Sequence, residues 1–204
     1  MKDKLLSAKI LRTCISKNVL FVLVLAVLMA GGQAVWGSTA RAMSLERLVV
    51  TSDAVVLGRA GEARTFRESN GRMVTRVTYE VEQYVTGEGP AQISVRLLGG
   101  TMDGVTQYVH GEPRLPRGEA TLLFLERRPQ AAGKTFVISG LSQGAFRVVE
   151  DKKTAARFAV RDLDALNLTD PPPVDRLGLA RSCMSTFLPL DKLLTLIRKF
   201  ARDE

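Results

Sequence analysis

Apolar and polar residues alternate through much of this chain. The clearest case is "MVTRVTYEVEQYV" (73–85). Met73, Thr75, Val77, Tyr79, Val81, Gln83 and Val85 share one face, and Val74, Arg76, Thr78, Glu80, Glu82 and Tyr84 the other. A period of two with one apolar side predicts a half-buried antiparallel strand. The same period predicts strands over 54–68 and 91–100. "SNGR" (69–72) joins the first two, and its Asn70-Gly71 dipeptide suits a tight hairpin. "TGEGP" (86–90) reads as a turn. "ATLLFLERR" (120–128) is apolar on both faces and predicts a central strand. Before it, "VTQYV" (105–109) suits a short strand, whereas "HGEPRLPRGE" (110–119) cannot continue one, because Pro113 and Pro116 bring no ladder donors. "TFVISGL" (135–141) and "GAFRVVED" (144–151) predict a last pair, joined around Ser142-Gln143-Gly144.

The period becomes helical at both ends of this region. Ser44 suits an N-cap, and Leu45, Leu48 and Val49 follow on one face, which predicts a short helix ending near Asp53. In "PLDKLLTLIRKFARDE" (189–204), Pro189 suits the first helical position, and Leu190, Leu193, Leu194, Ile197 and Ala201 form a stripe. Between them the β-pattern stops, and Pro171, Pro172 and Pro173 interrupt a polar stretch. The expected organisation is a β-barrel domain with its N-terminal helix over 43–150, an irregular excursion over 151–188, and a helix over 189–204 packed on the barrel. The fold class is mainly β: a small antiparallel OB-like barrel of about six strands with two flanking helices.

The N-terminus changes how the charge is read. A basic stretch (1–18) precedes twelve apolar residues, "VLFVLVLAVLMA" (19–30), and a small-x-small triplet Ala40-Arg41-Ala42. That order predicts an export signal over 1–42, cleaved after Ala42. The alternative is an uncleaved anchor helix, for which the apolar core is short. The chain has 29 Lys+Arg and 21 Asp+Glu, of which residues 1–42 hold six and one. What remains is 23 against 20, a net charge of +3. No basic stripe survives to suggest nucleic acid as a partner. The expected location is the periplasm or the extracellular space. Cys14 leaves with the signal, so Cys183 stands alone and no disulfide scaffold is expected.

Candidate chemistry is sparse. One histidine, His110, and one remaining cysteine cannot build a His- or Cys-rich zinc site. A nucleophile–histidine pair would have to use His110, and no GxSxG motif accompanies it. Glu80 and Glu82 stand two apart on one face, beside Arg76 and Thr78, as a solvated sheet face does. "LLGGTMDG" leads into a strand instead of a helix and fails as a phosphate loop. No cofactor, metal or catalytic residue is expected. Aromatic residues near basic ones are the better hint, and Tyr84, Tyr108, Arg114 and Arg117 are candidate binding residues on a recognition face.

"SLERLVVTSDAVVLGRA", "VTYEVEQYVTGEGP", Leu97–Gly100, Gly111–Glu119, Ser142–Val148 and "LPLDKLLTLIRKF" together resemble a family of uncharacterised exported bacterial proteins. The resemblance covers essentially all of 43–204. It implies an OB-like barrel of five to six strands, similar in outline to tissue inhibitors of metalloproteinases. In those inhibitors an N-terminal cysteine and its amine approach the protease zinc; here Met43 and Ser44 stand at the corresponding place. The expected function is therefore an exported, non-enzymatic module that binds a protein or envelope component. The alternative is an inhibitor or accessory factor of a secreted metalloprotease. Membrane contact is expected only through an uncleaved signal segment.

Overall fold

The computed structural model describes residues 38–128, 135–169 and 187–203. The apolar segment 19–30, Cys14, Cys183, residues 129–134 and the prolines 171–173 lie outside these residues.

The protein is mainly β. Strands β2 (Ala54–Arg67), β3 (Met73–Thr86) and β4 (Gln92–Leu98) follow each other antiparallel. A small hairpin of β5 (Gly100–Met102) and β6 (Val105–Gln107) comes next, then β7 (Ala120–Arg127), which returns beside β2. Strands β8 (Thr135–Ile138) and β9 (Ala145–Glu150) lie end to end along β7. Leu125 faces Ile138, and Leu123 faces Ala145. They are two halves of one strand, interrupted by a 3-10 turn at Leu141–Gly144. The last pair predicted for 135–151 is thus no hairpin, because the run Gly140–Gly144 bends the chain without reversing it.

The break lets the two halves go different ways. Strand β8 also pairs in parallel with β4, so pairing runs from β7 through β2, β3, β4 and β8 back to β7. Strand β9 carries the sheet outward to β10 (Arg157–Val160) and β12 (Phe187–Pro189). Among the described residues the result is one eight-stranded sheet, larger than the six strands expected and not wholly antiparallel. The excursion expected over 151–188 is also corrected: its described part holds β10, β11 (Leu166–Thr169) and the start of β12. Strand β11 pairs in parallel with β1 (Ser38–Arg41). These strands span only three or four residues each, too few for alternation to mark them.

Two apolar clusters occupy opposite faces of β2 and β7. Val55, Leu57, Leu122 and Phe124 join one, with Leu48 and Val49 of helix α1 (Leu45–Thr51) and Leu193 and Ile197 of helix α2 (Leu190–Phe200). Ala54, Val56, Leu123 and Leu125 join the other, with Val77, Tyr79 and Val95. A strand covered on both faces needs no polar alternate, which is why "AVVL" and "LLFL" are continuous. Ser44 caps α1 by accepting from Arg47 N at 3.0 Å. Along α2, Leu190, Leu193, Leu194 and Ile197 are buried, whereas Ala201 is exposed beyond the last turn. Tyr79 is fully buried, and its hydroxyl donates to Thr121 O at 2.6 Å. Burial pushes that phenol well above its usual range.

The β2–β3 connection is a tight hairpin turn at Asn70-Gly71, as expected. Gly71 N donates to Glu68 O, and only Gly71 of the Asn-Gly pair takes positive φ. That is a type I turn closed by a left-handed glycine. Nearby, Arg64, Arg76 and Arg96 stand in register across three strands. Like charges placed so are unfavourable. Glu68 offsets this by accepting both arms of the buried Arg96, at 2.7 and 2.6 Å. The Arg96 guanidinium in turn holds the Glu68 carboxyl below its ordinary range. Val74 sits on the face expected to be polar yet is fully buried, between its cross-strand partners Phe66 and Leu98.

Candidate functional site

The segment 108–119 crosses from β6 to β7 by two turns of one pattern. Glu112 N donates to Val109 O, and Glu119 N donates to Pro116 O. In each turn the third residue is a glycine with positive φ, Gly111 at 83° and Gly118 at 80°. Both are type II turns, which require glycine there. A Cβ on Gly111 would also meet Leu166 and Leu141. Between the turns, Leu115 inserts into the second apolar cluster. Gly118 N donates to Ala60 O at 2.7 Å and ties the segment to β2. The prolines and these anchors hold the loop in shape.

What remains outside is polar and aromatic. Tyr108 is 50% exposed, with the Arg114 guanidinium 5.6 Å from its ring centre. The His110 ring meets Tyr108 edge-on at 4.8 Å. His110 is the second residue of the first turn and Arg117 of the second. That accounts for His110 as a corner residue in an edge-to-face pair with Tyr108.

Across from the loop lies the strand break. Ser142 N donates to Gly111 O at 2.9 Å, so the two segments meet directly. Between them opens a cleft of about 560 Å³. Tyr108, Arg114 and Leu115 line one side, Ser142, Ala145 and Arg147 the other, and Asp162 and Asp164 the end beyond β10. Among the described residues, Arg114 and Arg147 make no ion pair with Glu119, Asp162 or Asp164, although all five line the cleft. The Ser142 hydroxyl is buried and has no hydrogen-bond partner among the described residues. Burying a hydroxyl unpaired costs about 1–3 kcal/mol.

The structure brings together only two of the four candidate binding residues. Tyr108 and Arg114 line the cleft, whereas Arg117 stays on the exposed corner of its turn, outside the lining. Tyr84 lies on β3, packs over Gly89 and donates to Pro90 O at 2.9 Å, closing the 86–90 turn. Its hydroxyl is committed to that turn. Arg147, Asp162, Asp164 and Ser142 were not legible as site residues. Arg147 and Ser142 did fall within the segment "SQGAFRV" that carries the resemblance.

Glu112 turns inward, and its Oε1 accepts Leu98 N at 2.9 Å. Burial pushes its carboxyl above the ordinary range, against the pull of that N–H and of Arg96. A carboxyl raised on folding binds its proton more tightly in the folded state. Its contribution favours folding at low pH and is lost as pH rises through the raised value. Glu112→Gln keeps the acceptor and removes the charge. The expected result is a melting temperature at pH 8 higher by roughly 1–3 °C, the scale of a sub-kcal/mol change in a chain of this size. The gain should vanish near pH 4. Melting curves at the two pH values check it, and an equal gain at both would remove the carboxylate from the account.

No group of acids, histidines or cysteines suited to a metal occurs among the described residues. Nor is any described helix long and apolar enough to cross a membrane. No family model matches this chain, and comparison with curated proteins finds no match.

Proposed function

We propose that this chain is an exported, non-enzymatic binding module, an OB-like barrel whose recognition site is the cleft between residues 108–119 and the strand break at 140–147. The ring of pairing β7–β2–β3–β4–β8 and the parallel β4–β8 edge support the barrel reading. One observation carries the functional reading. Two segments distant in sequence converge on an open cleft with a half-exposed tyrosine and five charged residues that do not pair with one another. Charges left unpaired around an aromatic anchor suit a partner that brings its own charges, a protein or an envelope component.

The alternative, inhibition of a secreted metalloprotease, requires a free amine near the zinc. With β1 in place, Met43 carries an amide N–H bound to Gln143 Oε1 at 2.8 Å, which favours the cleft over the N-terminus.

A photoreactive phenylalanine analogue at Tyr108, introduced in cells, tests the reading. It should form a cross-linked product in the envelope fraction. Arg114→Ala and Arg147→Ala should each reduce that product about tenfold, the loss expected for an arginine anchor. Arg117→Ala should leave it within about twofold. A product insensitive to Arg114 and Arg147 would refute the site. Inhibition of a secreted zinc protease by the purified protein at micromolar concentration would establish the alternative.

A further inference from the structure

The residues just before helix α1 belong to the fold. Ser38–Arg41 form β1, paired over four residues with Leu166–Thr169. Ala42 N donates to Thr169 O at 2.8 Å and extends the ladder by one residue. Gln143, in the strand break, then clasps both sides of Ala42. Its Nε2 donates to Arg41 O at 3.1 Å, and its Oε1 accepts Met43 N at 2.8 Å. Gln143 is 2% exposed, and both bonds are partly buried. β1 lies in the same compact unit as all that follows.

A cut after Ala42 would discard β1. It would leave β11 without its partner and the buried Gln143 Nε2 without its acceptor Arg41 O, and it would turn Met43 N into a charged terminal amine beside Gln143 Oε1. A second small-x-small triplet stands upstream, Gly32-Gln33-Ala34, four residues beyond the apolar core that ends at Ala30. A leader of 34 residues is also nearer the usual 15–30 than one of 42.

We infer that the export signal is removed between Ala34 and Val35, so that the mature chain keeps β1 and the clasp at Gln143. The step is hydrolysis by a membrane-bound signal peptidase. Water adds across the Ala34–Val35 amide, leaving a carboxylate on Ala34 and an amine on Val35. The inference rests on the export part of the reading above and is independent of the cleft.

Intact mass and N-terminal sequencing of the protein recovered from the envelope fraction test it. A chain beginning at Val35 is expected. A chain beginning at Arg41 or Met43, or one retaining residues 1–34, would overturn it and would leave the cross-linking test of the cleft standing. A second arm reads processing on newly made, denatured chains, so folding does not enter. Ala34→Leu places a bulky side chain immediately before the bond and should raise the unprocessed fraction more than tenfold, whereas Ala42→Leu should be processed as the parent is. The reverse pattern would place the cut after Ala42.

Discussion

Phe124→Ala is expected to destabilise the protein by about 3–5 kcal/mol, the range for removing a buried aromatic ring from a packed core. Phe124 is fully buried in the cluster that α1, α2, β2 and β7 share. Its ring centre lies 5.8 Å from that of Phe146 on β9, so the substitution also loses an aromatic contact. Both helices and residues of β2, β3, β9 and β10 belong to the same cluster, so little of the space left behind can collapse. For a chain of this size the change lowers the melting temperature by roughly 10 °C. Urea denaturation followed by circular dichroism measures it. Val105→Ala, on the exposed β6, is the control and should fall within about 0.5 kcal/mol of the parent. Equal shifts for the two variants would mean that the helices do not cover this face.

Gln143→Ala is expected to cost about 2–4 kcal/mol, the sum of buried hydrogen bonds lost and backbone groups left unpaired. Three partners lose their contact: Met43 N, Arg41 O and Gly140 O. Gln143→Glu separates this account from simple loss of volume. A carboxylate accepts but cannot donate. It would face the two carbonyls of Arg41 and Gly140 with a buried charge. It should therefore be at least as damaging as alanine at pH 7 and recover in part at low pH, when protonated. Limited trypsin digestion gives a local readout, because Arg41 is exposed and precedes Ala42. Both variants should release the segment before Ala42 at least tenfold faster than the parent, following the larger population of the opened state. A tolerated Gln143→Glu would show that the side chain fills space and does not hold the N-terminal segment.

Gln143 lies within the break between β8 and β9. Had the strand continued straight, Gln143 would have been an ordinary ladder residue. The 3-10 turn lifts Ser142 and Gln143 out of the ladder, so one backbone meets Gly111 and one side chain meets Arg41–Met43. The cleft and the N-terminal clasp therefore share one structural cause.

The sequence by itself determined the elements whose pattern is long enough to be periodic. The 14 residues of β3 declare their strand by alternation, and the run 120–127 declares a strand buried on both sides by lacking it. The stripe Leu190, Leu193, Leu194 and Ile197 declares a helix, and Pro113 and Pro116 mark a segment that cannot be strand. Each of these signals is local, a matter of period or of a missing donor. The tertiary structure alone decided what those elements meet. Strands of three or four residues, such as β1, β10 and β11, exist because a partner satisfies their backbone, and for Ser38 that partner, Leu166, is 128 residues away. Tyr108 and Arg114 were legible as candidates because they stand six positions apart on one loop. Arg147, Asp162 and Ser142 were not, because only the bend between β8 and β9 carries them to the same cleft. Hydrogen bonds between distant backbones and the closure of a sheet leave no period in the sequence.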